Sequence, residues 1–218
     1  MRCLFYGCFS LTSLPKINRW NTSKVQSMSL IYGECNSLPS IPDISCWNST
    51  NTIYMESIFY NCHNLSSLLD ISKWITSKCK TMKSMFCDCY NLKNLPNISK
   101  WETKNVIDMK YMFDGCINLE QLPDISKWNV TNLNNISYMF FNCSSLINIP
   151  DIYIWVISNL IELDCIFNGC ESLISFPDIS RLHLKQDNIS FYNSSSFSSS
   201  TDIKKSIDEN KSNSNTFN

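Results

Sequence analysis

The chain is short of the residues around which most enzymes are built. Only two histidines, His63 and His183, and four glycines occur in 218 residues, and no Gly-rich phosphate loop or nucleophile elbow is present. Charge of either sign is not in excess. Lys and Arg number 18 against 19 Asp and Glu, for a net charge of -1, so no global field favours nucleic acid or an anionic membrane as partner. Long apolar runs are missing as well. Residues 152–157 form one of the longest, far below the roughly 20 residues that a spanning helix takes, and membrane insertion is not expected. Residues 1–8 lack the basic start, apolar middle and small-residue cleavage site of a secretory signal, which favours a cytoplasmic chain.

Cysteine is abundant, and it is periodic. Of the 12 cysteines, seven recur every 27 residues, at Cys8, Cys35, Cys62, Cys89, Cys116, Cys143 and Cys170. Leucine follows each by three positions, from Leu11 to Leu173, and isoleucine by nine, from Ile17 to Ile179. Twelve positions after the cysteine stand Trp20, Trp47, Trp74, Trp101, Trp128 and Trp155, with Leu182 in the last unit. Proline follows by seven in six units, Leu69 being the exception. The unit reads Met-Phe-x-x-Cys-x-x-Leu-x-x-Leu-Pro-Asp-Ile-Ser-Lys-Trp-Asn, without insertion between Cys8 and Cys170.

A unit this short cannot bury its own apolar face, so neighbouring units must stack like on like. Leu-x-x-Leu-Pro-Asp-Ile suggests one short strand per coil, because its proline suits a strand end. Val106, Met109, Met112 and Phe113 have helical or 3₁₀ spacing, which suggests a short helix opposite. The expected fold is therefore α/β: a leucine-rich-repeat-like solenoid over residues 1–184. It has about seven coils, each with one short parallel strand and one short helix or 3₁₀ turn, at about 4.8 Å per rung. Residues 185–218, rich in Ser, Asn and mixed charge, are expected to be a disordered tail.

Phe-x-x-Cys-x-x-Leu followed by Leu-Pro-Asp-Ile-Ser-Lys-Trp-Asn, close to residues 115–129 as they stand, resembles the BspA-type leucine-rich repeat, or bacterial surface protein repeat. The resemblance covers residues 1 to about 184. It implies recognition as the function, through surface adhesion and binding of host or matrix proteins in the family's secreted members. It also implies an interior cysteine column that satisfies backbone groups at a turn.

The seven in-register cysteines are accordingly assigned a structural role, as small buried hydrophobes with a weak donor. The pair Cys87-x-Cys89 lacks the further ligands that zinc requires, so no metal and no cofactor is expected. The tryptophan column is assigned to the core. Asp43, Asp70, Asp124, Asp151 and Asp178 form an acidic column, and Lys73, Lys100 and Lys127 stand three positions on, with Arg19 and Arg181. Two roles are open to these aspartates: turn acceptors, or half of a paired acidic and basic stripe that selects a partner. Thr12, Ser13, Ser66, Ser67, Lys93, Asn94, Glu120 and Gln121 vary between coils and are the expected contact positions. The expected function is a non-catalytic scaffold that binds an unidentified protein, with self-association through the uncapped first coil as a further contact. The alternative is an exported adhesion or carbohydrate-binding protein, for which Asn-x-Ser/Thr triplets such as those at Asn21, Asn48, Asn64 and Asn129 would be acceptors.

Overall fold

The computed structural model describes residues 1–155, 163–175 and 177. The expected tail at 185–218 and the site residue Asp178 lie outside them. Successive 27-residue coils stack in parallel, joined by backbone bonds between residues 26 to 28 apart, such as Met109 N to Asn135 O at 2.9 Å and Glu120 N to Lys93 O at 3.2 Å.

The coils are not the strand-plus-helix units of the α/β expectation. Among the described residues, regular structure amounts to one 3₁₀ turn at Ile152–Ile154 and six isolated parallel bridges, including Tyr54↔Thr81, Thr81↔Asp108 and Gln121↔Asn148. Among these residues no sheet and no strand–helix alternation forms. Each coil is a succession of tight turns.

Backbone conformation explains why the Met-Phe segment is not a helix. Two positions per coil are left-handed: the fifth residue before the cysteine has φ of 49–60°, and the residue immediately before it has φ of 53–79°. A right-handed helix admits neither. Between these points the amide groups alternate. Met109, Tyr111, Phe113 and Gly115 donate to the carbonyls of Asn135, Ser137, Met139 and Phe141 in the next coil. Met112, Asp114 and Cys116 donate back three residues, to Met109, Tyr111 and Phe113. The buried backbone is satisfied without an i to i−4 ladder.

The expected strand fails for a different reason. Pro123 has no N–H, and Asp124 then turns the chain by accepting the amide of Ser126 at 3.0 Å. The extended stretch is left only long enough for the single bridge Gln121↔Asn148.

Residues of the same type stack down the interior, aromatic on aromatic. The rings of Phe5, Tyr32, Phe59, Phe86, Phe113, Phe140 and Phe167 form one column with centroids 5.5–5.8 Å apart. Trp47, Trp74, Trp101, Trp128 and Trp155 are buried in a second column, whereas Trp20 in the first coil is 41% exposed. Each fully buried large side chain stabilises by about 1.5–3 kcal/mol, so the two columns supply much of the core. Among the described residues no helix is long and apolar enough to cross a membrane.

Candidate functional site

The in-register cysteines occupy the turn that closes the left-handed segment. Cys35, Cys62, Cys89, Cys116, Cys143 and Cys170 are buried, and Cys8 is exposed. Each buried thiol donates to the carbonyl of the aromatic residue 30 positions earlier: Cys62 to Tyr32 at 3.0 Å, Cys116 to Phe86 at 3.1 Å, Cys143 to Phe113 at 3.0 Å. That carbonyl already accepts its own coil's turn amide, as Phe86 does from Cys89 N at 3.2 Å. The thiol therefore uses the second lone pair of an oxygen that is already bonded. Burial pushes the Cys35 thiol up to about 11 and the Cys170 thiol up to about 12, which suppresses the reactive thiolate.

The acidic column is exposed, and each of its members with a described contact turns inward on its own chain. Asp43, Asp70 and Asp124 accept the amides of Ser45, Ser72 and Ser126 at 2.9, 2.9 and 3.0 Å. Asn97 does the same for Ser99 at 3.0 Å. These serine bonds, and then Lys73 beside Asp43 and Asp70 and Lys127 beside Asp124, hold the three carboxyls below the ordinary range. Asp151 is exposed on the same column, as are Lys73, Lys100 and Lys127 on the neighbouring one. The acidic and basic stripes thus lie side by side in one chain.

Thr12, Ser13, Ser66, Ser67, Lys93, Asn94, Glu120 and Gln121 are all exposed. They line one flank, where the bridges Ser40↔Ser67 and Gln121↔Asn148 join neighbouring coils. Lys93 and Glu120 occupy the same position in successive coils. Among the described residues no group of three His, Cys, Asp or Glu side chains is arranged to hold a metal ion.

Two features escaped the sequence. The first is a half-buried pair of carboxylates. Asp88 N donates to Asp114 O at 2.7 Å, and the Cys87 thiol sits between the two side chains, 3.5 Å from Asp88 Oδ2 and 3.9 Å from Asp114 Oδ2. Burial first, then the Asp88 charge, pushes Asp114 up to about 7. The 26-residue separation of these aspartates, one less than the repeat, was the available signal. The second feature is a flank rich in lysine, centred on the bridges Tyr54↔Thr81 and Thr81↔Asp108. The balanced overall charge conceals it.

A family model described as Mycoplasma protein of unknown function, DUF285, matches residues 1–94 and, overlapping them, residues 63–176. No curated protein and no solved structure matches the chain.

Proposed function

From a chain that belongs to this Mycoplasma family of unknown function, we propose a non-catalytic scaffold that binds a protein partner through the flank carrying Lys93, Asn94, Glu120 and Gln121. One observation carries this proposal. The buried columns repeat the same residue types from coil to coil, while the exposed positions four and five after the cysteine change from Thr12-Ser13 to Ser66-Ser67, Lys93-Asn94 and Glu120-Gln121. A uniform frame with a varied outer row presents a surface of specified chemistry along its length. Opposite charges in adjacent coils, Lys93 and then Glu120, give that surface a direction. The resemblance to BspA-type repeats, whose secreted members recognise other proteins, supports the same role. The aspartate column contributes less, because Asp43, Asp70 and Asp124 each spend an oxygen on their own turn.

Photo-crosslinkers placed singly at Asn94 and Gln121 of the full chain, with Asn129 as an exposed control, test the proposal in cells. The expected outcome is one common protein adduct from the first two positions, absent from the third and lost when Lys93→Glu and Glu120→Lys are combined. No adduct at 94 and 121, or the same adducts at 129, would refute it.

A further inference from the structure

We infer that the lysine-rich flank is a docking surface for an anionic lipid bilayer, on a different side of the coils from the protein-binding row and independent of it. Residues 77–83 and 104–110 occupy equivalent stretches of neighbouring coils and are joined by the Thr81↔Asp108 bridge. Lys78, Lys80, Lys83 and Lys104 are exposed there. Lys110 follows Lys83 in the same position of the next coil and lies 5.0 Å from the ring centroid of Tyr111. Against these five cations stand three carboxylates, Glu56 in the preceding coil, Asp108, and Glu102 exposed two residues before Lys104. The flank is therefore locally basic in a chain whose net charge is -1.

The apolar residues on this flank favour a membrane over nucleic acid, and the mixture of lysine stems with an exposed isoleucine and tyrosine matches the headgroup boundary. Tyr54 is 48% exposed and Ile107 is 43% exposed, and both stand within the lysine cluster. Ile107 N bonds Lys80 O at 3.0 Å, which makes the two residues neighbours across the coil boundary. A phosphate backbone offers nothing to an exposed isoleucine. The boundary between lipid headgroups and acyl chains takes both side-chain types: lysine stems lie along apolar surface with their ammonium groups at the headgroups, and isoleucine and tyrosine enter beneath them. Each lysine near an anionic leaflet raises partitioning about fivefold. Contact is peripheral, through side chains on a stacked backbone that stays paired to itself.

Co-sedimentation of the full chain with vesicles tests the inference, using pure phosphatidylcholine and phosphatidylcholine with roughly 30% phosphatidylserine. Binding is expected to the serine-containing vesicles only, and to fall steeply between about 50 and 500 mM salt. Lys80→Glu, Lys83→Glu and Lys104→Glu combined should reduce it at least about a hundredfold, with an unchanged circular dichroism spectrum. Ile107→Ser should weaken it several-fold, and Lys93→Glu on the other flank should leave it unchanged. Equal binding by the triple variant, equal binding to neutral vesicles, or binding to soluble polyglutamate without binding to either vesicle would overturn the inference. The last outcome would mark an acidic protein as the partner.

Discussion

Trp101 Nε1 donates to the carbonyl oxygen of Ile71, 30 residues earlier, at 3.2 Å, and that same oxygen accepts the amide of Trp74 at 3.1 Å. Equivalent pairs run from Trp47 with Ile17 to Trp155 with Ile125. One carbonyl per coil closes its own turn and anchors the tryptophan of the next. Trp101→Phe removes the anchoring donor and part of the buried ring, and is expected to cost about 1–3 kcal/mol in urea denaturation. Trp20→Phe, at a side chain that is 41% exposed, is expected to cost less than about 0.5 kcal/mol. Equal losses at the two positions would show that the anchor contributes nothing.

Thiol labelling should divide the cysteines by position in the stack. Cys3, Cys8 and Cys46 are exposed and should react at once with an impermeant reagent in the native protein. Cys35, Cys62, Cys79, Cys87, Cys89, Cys116, Cys143 and Cys170 are buried and should react only after unfolding. Raising the pH to about 9, where an ordinary thiol is largely ionised, should not expose them. Burial pushes Cys35 up to about 11, and Cys79 and Cys170 up to about 12. Mass spectrometry after native and denaturing labelling reads the division directly, and native labelling of Cys116 or Cys143 would contradict it.

The repeat, its length and its buried columns were legible because stacking forces chemical identity wherever side chains meet their own equivalents 27 residues on. The local conformation was not. The spacing of Val106, Met109, Met112 and Phe113 fits a helix as well as a run of overlapping turns, and the left-handed Tyr111 decides between them with no compositional warning. The second left-handed position did carry one. Gly7, Asn61, Asp88, Gly115, Asn142 and Gly169 precede the column cysteine, with Glu34 the one exception, and glycine, asparagine and aspartate are the residues that tolerate positive φ. At the surface, an aspartate after proline announces a turn, whereas Asp88 and Asp114 meet only because backbone bonds in that segment span 26 residues.

Gly115 has φ of +69°, and a Cβ built on it would meet Asp88 Oδ1 and crowd the Asp88 backbone. Gly115→Ala should therefore destabilise the protein through both left-handed strain and a clash with the preceding coil, by about 1–3 kcal/mol. Part of the clash is with a side chain that glycine lacks. The same substitution in an Asp88→Gly background should cost measurably less, and Asp88→Gly also suits the φ of 58° at that position. Additive losses across this double-mutant cycle, measured by urea denaturation, would show that the two sites do not touch.

The carboxylate pair sets a pH dependence whose sign follows from the direction of the Asp114 shift. Burial and Asp88 raise the folded-state value from 3.8 to about 7, so the folded chain binds more protons than the unfolded chain between these limits. Stability must fall as pH rises through that window and level off above it. Of the groups that face Asp114, the Asp88 carboxyl adds to the rise and the Cys87 thiol, as a donor, offsets only part of it; Asp88 and Asp114 together also raise the Tyr60 and Tyr90 hydroxyls. Asp114→Asn keeps an acceptor for the Cys87 thiol and removes the charge. It should be neutral near pH 4 and stabilising by about 1–2 kcal/mol at pH 8, since solvent screening at a half-buried site holds the gain below that of a fully buried carboxyl. Urea midpoints from pH 4 to 8 should slope downward for the natural chain and run flatter for the variant. Parallel slopes would mean that Asp114 ionises in the folded chain without penalty.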